Sequence, residues 1–208
     1  MRMSTRPAGI CAVAMTLLVI GGCGESVSTL SDPSPTPTPT PVSARAIAVK
    51  PPDFPGVSLR VCPGPATGDF AAYAAAYRKG IKRQPLILAA NLAAAKADGW
   101  SQTLSGSEAS CKGALGFATN GGDPTVMSYT FVFPTEAAAV AAFPTVGAGT
   151  FLAQVRGDPT GFGPNSAGST DVESYWIAWQ RKTVVALVEC DNVPSCKKGA
   201  QALDSRIV

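Results

Sequence analysis

The chain opens on one apolar run, crosses a stretch nearly devoid of large side chains, and only then settles into helical and strand periodicities. The run, Ala8 to Ile20, follows Arg2 and Arg6 and precedes Gly21 and Gly22, which gives the charged start, apolar middle and small-residue end of a secretory signal over residues 1–22. It is short for a bilayer-spanning helix, which takes about 20 residues. From Pro33 to Pro41, proline alternates with Ser or Thr. That alternation favours an extended polyproline II rod rising about 3.1 Å per residue, so residues 23–45 form a spacer that would hold a domain roughly 30 Å from its attachment.

From Ala46 to the C-terminus the pattern is that of one folded domain. "AIAVKPPDFPGVSLRVC" supplies a short strand ending at Cys62 and broken by prolines. Asp69 opens a helix that places Phe70, Tyr73 and Tyr77 on one face and stops at Gly80. A second helix begins near Pro85 and ends at Gly99. Strands are then expected at "WSQTLSG", at "ASCKGALGFAT" and, after the turn "TNGGDPT", at "VMSYTFVFP", where Met127, Tyr129, Phe131 and Phe133 alternate with smaller residues and turn an aromatic face inward. "PTEAAAVAAFP" reads as a helix capped by Thr135, with Glu136 in its first turn and Pro144 as its stop.

The last third is the most regular. "VESYWIAWQ" and "TVVALVEC" flank Arg181 and Lys182 as a hairpin, with Trp179 near Val184, Ile177 near Ala186 and Tyr175 near Val188. Arg-Lys is not a preferred two-residue turn, so the register is open by a residue or more. "SCKKGAQALDSRI" closes the chain as a helix capped by Ser195, with Ala200, Leu203 and Ile207 on one side. The fold class is therefore α+β, an antiparallel sheet with helices packed mainly on one face. After residue 100 the element order suggests two units of hairpin followed by helix.

A length of 208 residues and 46% hydrophobic content suffice for one core. The formal charge is +3, and without Arg2 and Arg6 it falls to 15 basic against 14 acidic side chains, which gives no basic face for a nucleic acid. Cysteines stand at 11, 23, 62, 111, 190 and 196. With the first lost in a leader and Cys23 used as an anchor, Cys62, Cys111, Cys190 and Cys196 remain for two disulfides, with three connectivities open. The short loop containing Pro194 favours Cys190 with Cys196, leaving Cys62 with Cys111.

Ile20, Gly21, Gly22 and Cys23 end the apolar run in the order of a lipobox, and in this the leader resembles those of bacterial lipoproteins. The resemblance implies a diacylglycerol on the Cys23 thiol, cleavage before that residue and acylation of the new amine, for example with palmitate. The chain would then sit on the extracytoplasmic face of the cell membrane, its membrane partner reached through the lipid. Cys11 follows the bulky Ile10 and has no apolar run before it, so it does not qualify. A second resemblance covers about a fifth of the chain. Trp179, Val184 to Val188, Cys190, Ala200 and Ile207 are similar in pattern to the extracellular sensor domains of actinobacterial Ser/Thr kinases and related lipoproteins. A cysteine typical of that family's tryptophan-bearing strand is missing here, so its disulfide pairing and ligand cleft do not carry over.

With no histidine anywhere, Ser-His-Asp and Cys-His nucleophiles and histidine metal sites are excluded. No C-x-x-C pair exists, and neither a metal nor a cofactor is expected. "SCKK", Ser195 to Lys198, formally matches S-x-x-K but lacks a later K-T-G. "GFGPNSAG" has Ser166 in place of the third glycine of a phosphate loop and reads as a surface loop. Two carboxylate pairs, Asp171 with Glu173 and Glu189 with Asp191, would serve a hydrolase if Glu173 and Glu189 lay about 5 to 10 Å apart. Tyr175, Trp176 and Trp179 are the candidate binding residues, because Trp176 and Trp179 must point to opposite faces of their strand. The function expected is a noncatalytic binding or sensing module for an apolar small ligand or an envelope protein. The alternatives are a carboxylate-dependent hydrolase and a purely structural lipoprotein.

Overall fold

The computed structural model describes residues 42–77, 84–114, 122–146, 161–170 and 175–208. Cys11, Cys23, the leader and most of the spacer lie outside the described residues. Among the described residues, no helix is long and apolar enough to cross a membrane.

Strict alternation along the strands generates a sheet with two buried faces. Its strands are β1 (Arg60–Val61), β2 (Gly68–Asp69), β3 (Asp98–Ser105), β4 (Thr125–Val132), β5 (Ser166–Thr170), β6 (Tyr175–Arg181) and β7 (Val184–Asp191), and every pairing is antiparallel. The order is β1-β3-β4-β7-β6-β5, with β2 pairing the other end of β3 from β1. The helices are α1 (Ala44–Ile47), α2 (Phe70–Ala76), α3 (Gln84–Ala94), α4 (Glu108–Ala114), α5 (Glu136–Val146) and α6 (Cys196–Asp204). This is the α+β class expected, and most of the helical cover lies on one face. There α2, α3 and α5 bury Tyr129, Phe131, Ala178, Val185 and Leu187. On the opposite face α6, α1 and the chain around Phe54 bury Leu104, Val126, Ile177, Trp179, Ala186 and Val188.

The packed fold begins before Ala46. Ala44 is fully buried, and its N–H donates to the Asp98 carboxylate at 2.7 Å, so residues 42–45 belong to the domain and not to the spacer. The strand expected up to Cys62 shrinks to Arg60–Val61, because Pro51 and Pro52 fit a 3-10 turn (Pro51–Asp53), which Asp53 closes by accepting from the Lys50 N–H at 2.7 Å. Asp53 also takes the Arg206 guanidinium in a two-pronged pair, which ties the N-terminal segment to the end of the chain.

Helices α2 and α5 start as the capping residues dictate. Asp69 accepts from the N–H groups of Ala71 and Ala72 at 2.8 and 3.1 Å, and Thr135 accepts from Ala138 at 3.2 Å. Helix α3 ends at Ala94 and not at Gly99. Lys96 takes the left-handed conformation (φ 54°), and the Ala97 N–H returns to Leu92 at 2.9 Å. That releases Gly99 to β3, where its missing side chain admits Phe70 from α2, whose Cβ would lie 3.1 Å from a Cβ at Gly99.

Three further expectations are corrected. The "ASCKG" part of the strand expected at "ASCKGALGFAT" is helical. Ser107 caps it by accepting from the Ser110 N–H at 3.1 Å, and Asp123 accepts from the hydroxyls of both serines. Residues 115–119 of that stretch lie outside the described residues, as does Gly80. Helix α5 runs two residues past Pro144, since only one carbonyl inside the helix loses its donor. The "GFGPNSAG" stretch is not a surface loop: Phe162 is buried against Trp179, with ring centroids 4.7 Å apart, and Ser166 starts the edge strand β5.

The β6–β7 hairpin is shifted by two residues. Trp179 pairs with Ala186, Ile177 with Val188 and Tyr175 with Cys190. The turn is Lys182-Thr183, with Lys182 at φ 51°, because Arg181 stays in the strand and pairs with Asp204 of α6 at 2.6 Å. A shift of two leaves every side chain on its intended face.

Both disulfides are those favoured from the sequence, Cys62–Cys111 and Cys190–Cys196, with Cα atoms 5.3 and 6.0 Å apart. The first joins the residue after β1 to α4, and the second fixes the start of α6 to the end of β7. Ser195 holds the N-cap position of α6 but makes no capping hydrogen bond.

Candidate functional site around Trp176 and Glu189

The three aromatic residues singled out on β6 divide between the faces as alternation requires. Trp179 is fully buried, and its indole N–H donates to Asp204 Oδ1 at 2.9 Å. With Phe162 against its ring it is a core residue that ties α6 to the sheet. Tyr175 lies half-buried on the same face, and partial burial raises its hydroxyl pKa. Trp176 points the other way and is half-buried beside the aromatic core beneath α2, α3 and α5. The structure therefore does not bring the three together, and Trp176 is the one that reaches the α2 face.

Directly across from Trp176 on β7 stands Glu189, and across from Glu189 on β4 stands Met127. All three are half-buried. Glu189 has one carboxylate oxygen, Oε2, buried with no hydrogen-bond partner. Burial first, and the nearby Asp191 charge second, raise its pKa. An uncompensated carboxylate in such a place disfavours its charged form. Its backbone is locked in the sheet on both sides, so the side chain cannot leave this face by a change of register.

Tyr73 of α2, Tyr77 just past the end of that helix and Tyr129 of β4 gather on this face, near enough for the Glu189 charge to act on each. The hydroxyls of Tyr73 on α2 and Tyr129 on β4 are 2.7 Å apart, and the Tyr73 ring lies 5.4 Å from that of Tyr129 and 5.8 Å from that of Tyr77. All three rings are at most 8% exposed. Burial raises their hydroxyl pKa values, and the Glu189 charge adds to the rise at each of them. A negative charge here is thus disfavoured on every one of these groups, whereas a positive charge or a hydrogen-bond donor would be favoured.

The other candidates are placed differently. Asp171 and Glu173 lie outside the described residues, so the Glu173–Glu189 separation on which a two-carboxylate hydrolase depends is not defined. In "SCKK" the Ser195 hydroxyl is buried without a hydrogen-bond partner, Cys196 is held in a disulfide and Lys198 is exposed. The tyrosine pair was not among the sequence candidates. Its only sequence signal is that Tyr73 and Tyr129 each carry a hydroxyl on a face predicted to be buried, and buried tyrosine hydroxyls require partners.

The chain matches no protein-family model, no curated protein and no solved structure.

Proposed function

We propose that this protein is a lipid-anchored, extracytoplasmic binding module whose ligand site is the Trp176–Glu189 margin of the sheet, and that it performs no chemistry of its own. The address rests on the Ile20-Gly21-Gly22-Cys23 lipobox, on the proline-rich spacer behind it, and on two disulfides of the kind that persist in oxidising compartments. The binding reading rests on one observation: a carboxyl oxygen of Glu189 is buried without a hydrogen-bond partner beside a half-buried tryptophan. Buried polar groups left unsatisfied are rare and costly, and a ligand that brings a hydrogen-bond donor or a positive charge would satisfy this one.

A thermal-denaturation screen of the full chain in maltoside micelles, against cell-wall fragments, lipids, saccharides and organic ions, tests this. At least one class should raise the melting temperature of the wild type and fail to do so for Trp176→Ala. If no class does, or if the shift persists in that variant, the site is wrong.

A further inference from the structure

Resting on that reading, the ligand class can be narrowed from the chemistry of the site. We propose that Glu189 and Trp176, near the Tyr73–Tyr129 pair, bind an organic ammonium ion: an alkylated or primary amine carried by a small molecule or a lipid headgroup.

Four features select this class. The unpartnered Glu189 oxygen can only accept a hydrogen bond or face a cation while ionised. No described residue forms an ion pair with it, although Arg181 and Arg206, which do form pairs, are both matched to aspartates elsewhere. The register puts the Trp176 and Met127 side chains on either side of the carboxyl, which offers an aromatic face and a polarisable thioether to the alkyl groups around a cationic nitrogen. On the same face, the hydroxyls of Tyr73 and Tyr129 already engage each other at 2.7 Å. Both hydroxyls are neutral, since burial raises their pKa values, so they supply no countercharge for Glu189.

The competing classes fit less well. An anion would meet Glu189 and Asp191, which lie two residues apart on the same face of β7. A divalent metal requires several hard ligands, and no group of three His, Cys, Asp or Glu gathers among the described residues. A neutral saccharide calls for several directed donors as well as acceptors, whereas the described residues of this margin offer the Glu189 and Asp191 carboxyls, which only accept while ionised, beside an indole and a thioether.

Choline and its uncharged isostere 3,3-dimethyl-1-butanol separate these possibilities. Both are titrated into the full chain in maltoside micelles by calorimetry, and the Trp176 indole N–H resonance reports where they bind. Choline should bind about tenfold or more tightly than the isostere. Glu189→Gln should abolish that preference, and Trp176→Ala should weaken binding of both. Equal affinities for the two probes, a preference that survives Glu189→Gln, or no response to choline would each overturn the ammonium assignment. If a neutral saccharide or lipid then shifts the Trp176 resonance, the binding module stands with a different ligand; if nothing does, both readings fall.

Discussion

Gly199 provides the sharpest test of how the segment around Phe54 packs on α6. It lies inside α6, where replacing glycine by alanine ordinarily gains about 1 kcal/mol of helix stability. Here the sign should reverse. A Cβ at Gly199 would be driven into the ring of Phe54, with Cδ1 only 2.7 Å away and two further ring atoms nearer still. Carbon atoms in contact sit about 3.5 to 4.0 Å apart. Phe54 is 1% exposed and packed among Ile47, Val49 and Leu203, so its ring has no space into which to withdraw. Either α6 lifts from the sheet or the ring is expelled, and an overlap this deep belongs near the upper end of the roughly 1 to 3 kcal/mol that overpacking costs. After the helix gain, Gly199→Ala should destabilise the fold by about 2 kcal/mol. Urea denaturation of the full chain with both disulfides intact measures it. In a Phe54→Ala background, itself about 3 to 5 kcal/mol less stable, the same change should become neutral or stabilising by up to about 1 kcal/mol. A Gly199→Ala variant at least as stable as the wild type, or effects that simply add in the double variant, would refute the packing of Phe54 on α6.

The other expectations concern the staples and the α2 face. Replacing Cys62 and Cys111 by alanine opens a cross-link spanning 49 residues and should cost about 4 kcal/mol, whereas opening the 6-residue span of Cys190–Cys196 should cost only about 2 kcal/mol, both read from denaturant midpoints. Tyr129→Phe leaves the buried Tyr73 hydroxyl without its partner and should cost about 1 to 3 kcal/mol, with less than an equal further loss in the Tyr73→Phe/Tyr129→Phe double variant; additive losses would mean that the two hydroxyls do not act as a pair. The Glu189 carboxyl has its pKa raised in the fold, mainly by burial, so its contribution to stability is fully present below its unfolded pKa near 4.5 and lost as pH rises through the folded value. Glu189→Gln should therefore gain on the wild type in melting temperature as pH increases across that window; a difference independent of pH would show that the carboxyl is not desolvated.

How far the sequence carried the structure depends on the range of the forces involved. Local rules sufficed where one residue decides an outcome: the Asp69 and Thr135 caps, the inward aromatic face of β4, and the split of Trp176 from Trp179 across β6 all follow from spacing and alternation. The short Cys190–Cys196 loop was likewise legible, and once that pair was set the second disulfide followed. Long-range partners decided the rest. The stretch around Cys111 became helical because Ser107 and Asp123 cap it, and Asp123 is 16 residues from Ser107. The hairpin shifted by two residues because Arg181 found Asp204, 23 residues away, which no turn rule encodes. Phe162 entered the core from a glycine-rich stretch because the Trp179 ring offered it a surface. The candidate site followed the same division. Trp176 was visible as one of two tryptophans that must take opposite faces of β6, and Glu189 as one member of a carboxylate pair. Their juxtaposition, and the tyrosines gathered near them, depend on a register and on a hydroxyl pair joining residues 56 positions apart.

The proposed address, and with it the role of the domain in the cell, presupposes that the domain is displayed outside the membrane on a lipid. The intact mass of the protein extracted from bacterial membranes tests that claim most directly. The account predicts a polypeptide beginning at Cys23 whose mass exceeds that of residues 23–208 by a diacylglyceryl group, with or without an added acyl chain. A chain beginning at Met1, or one cleaved elsewhere with Cys23 unmodified, would contradict it.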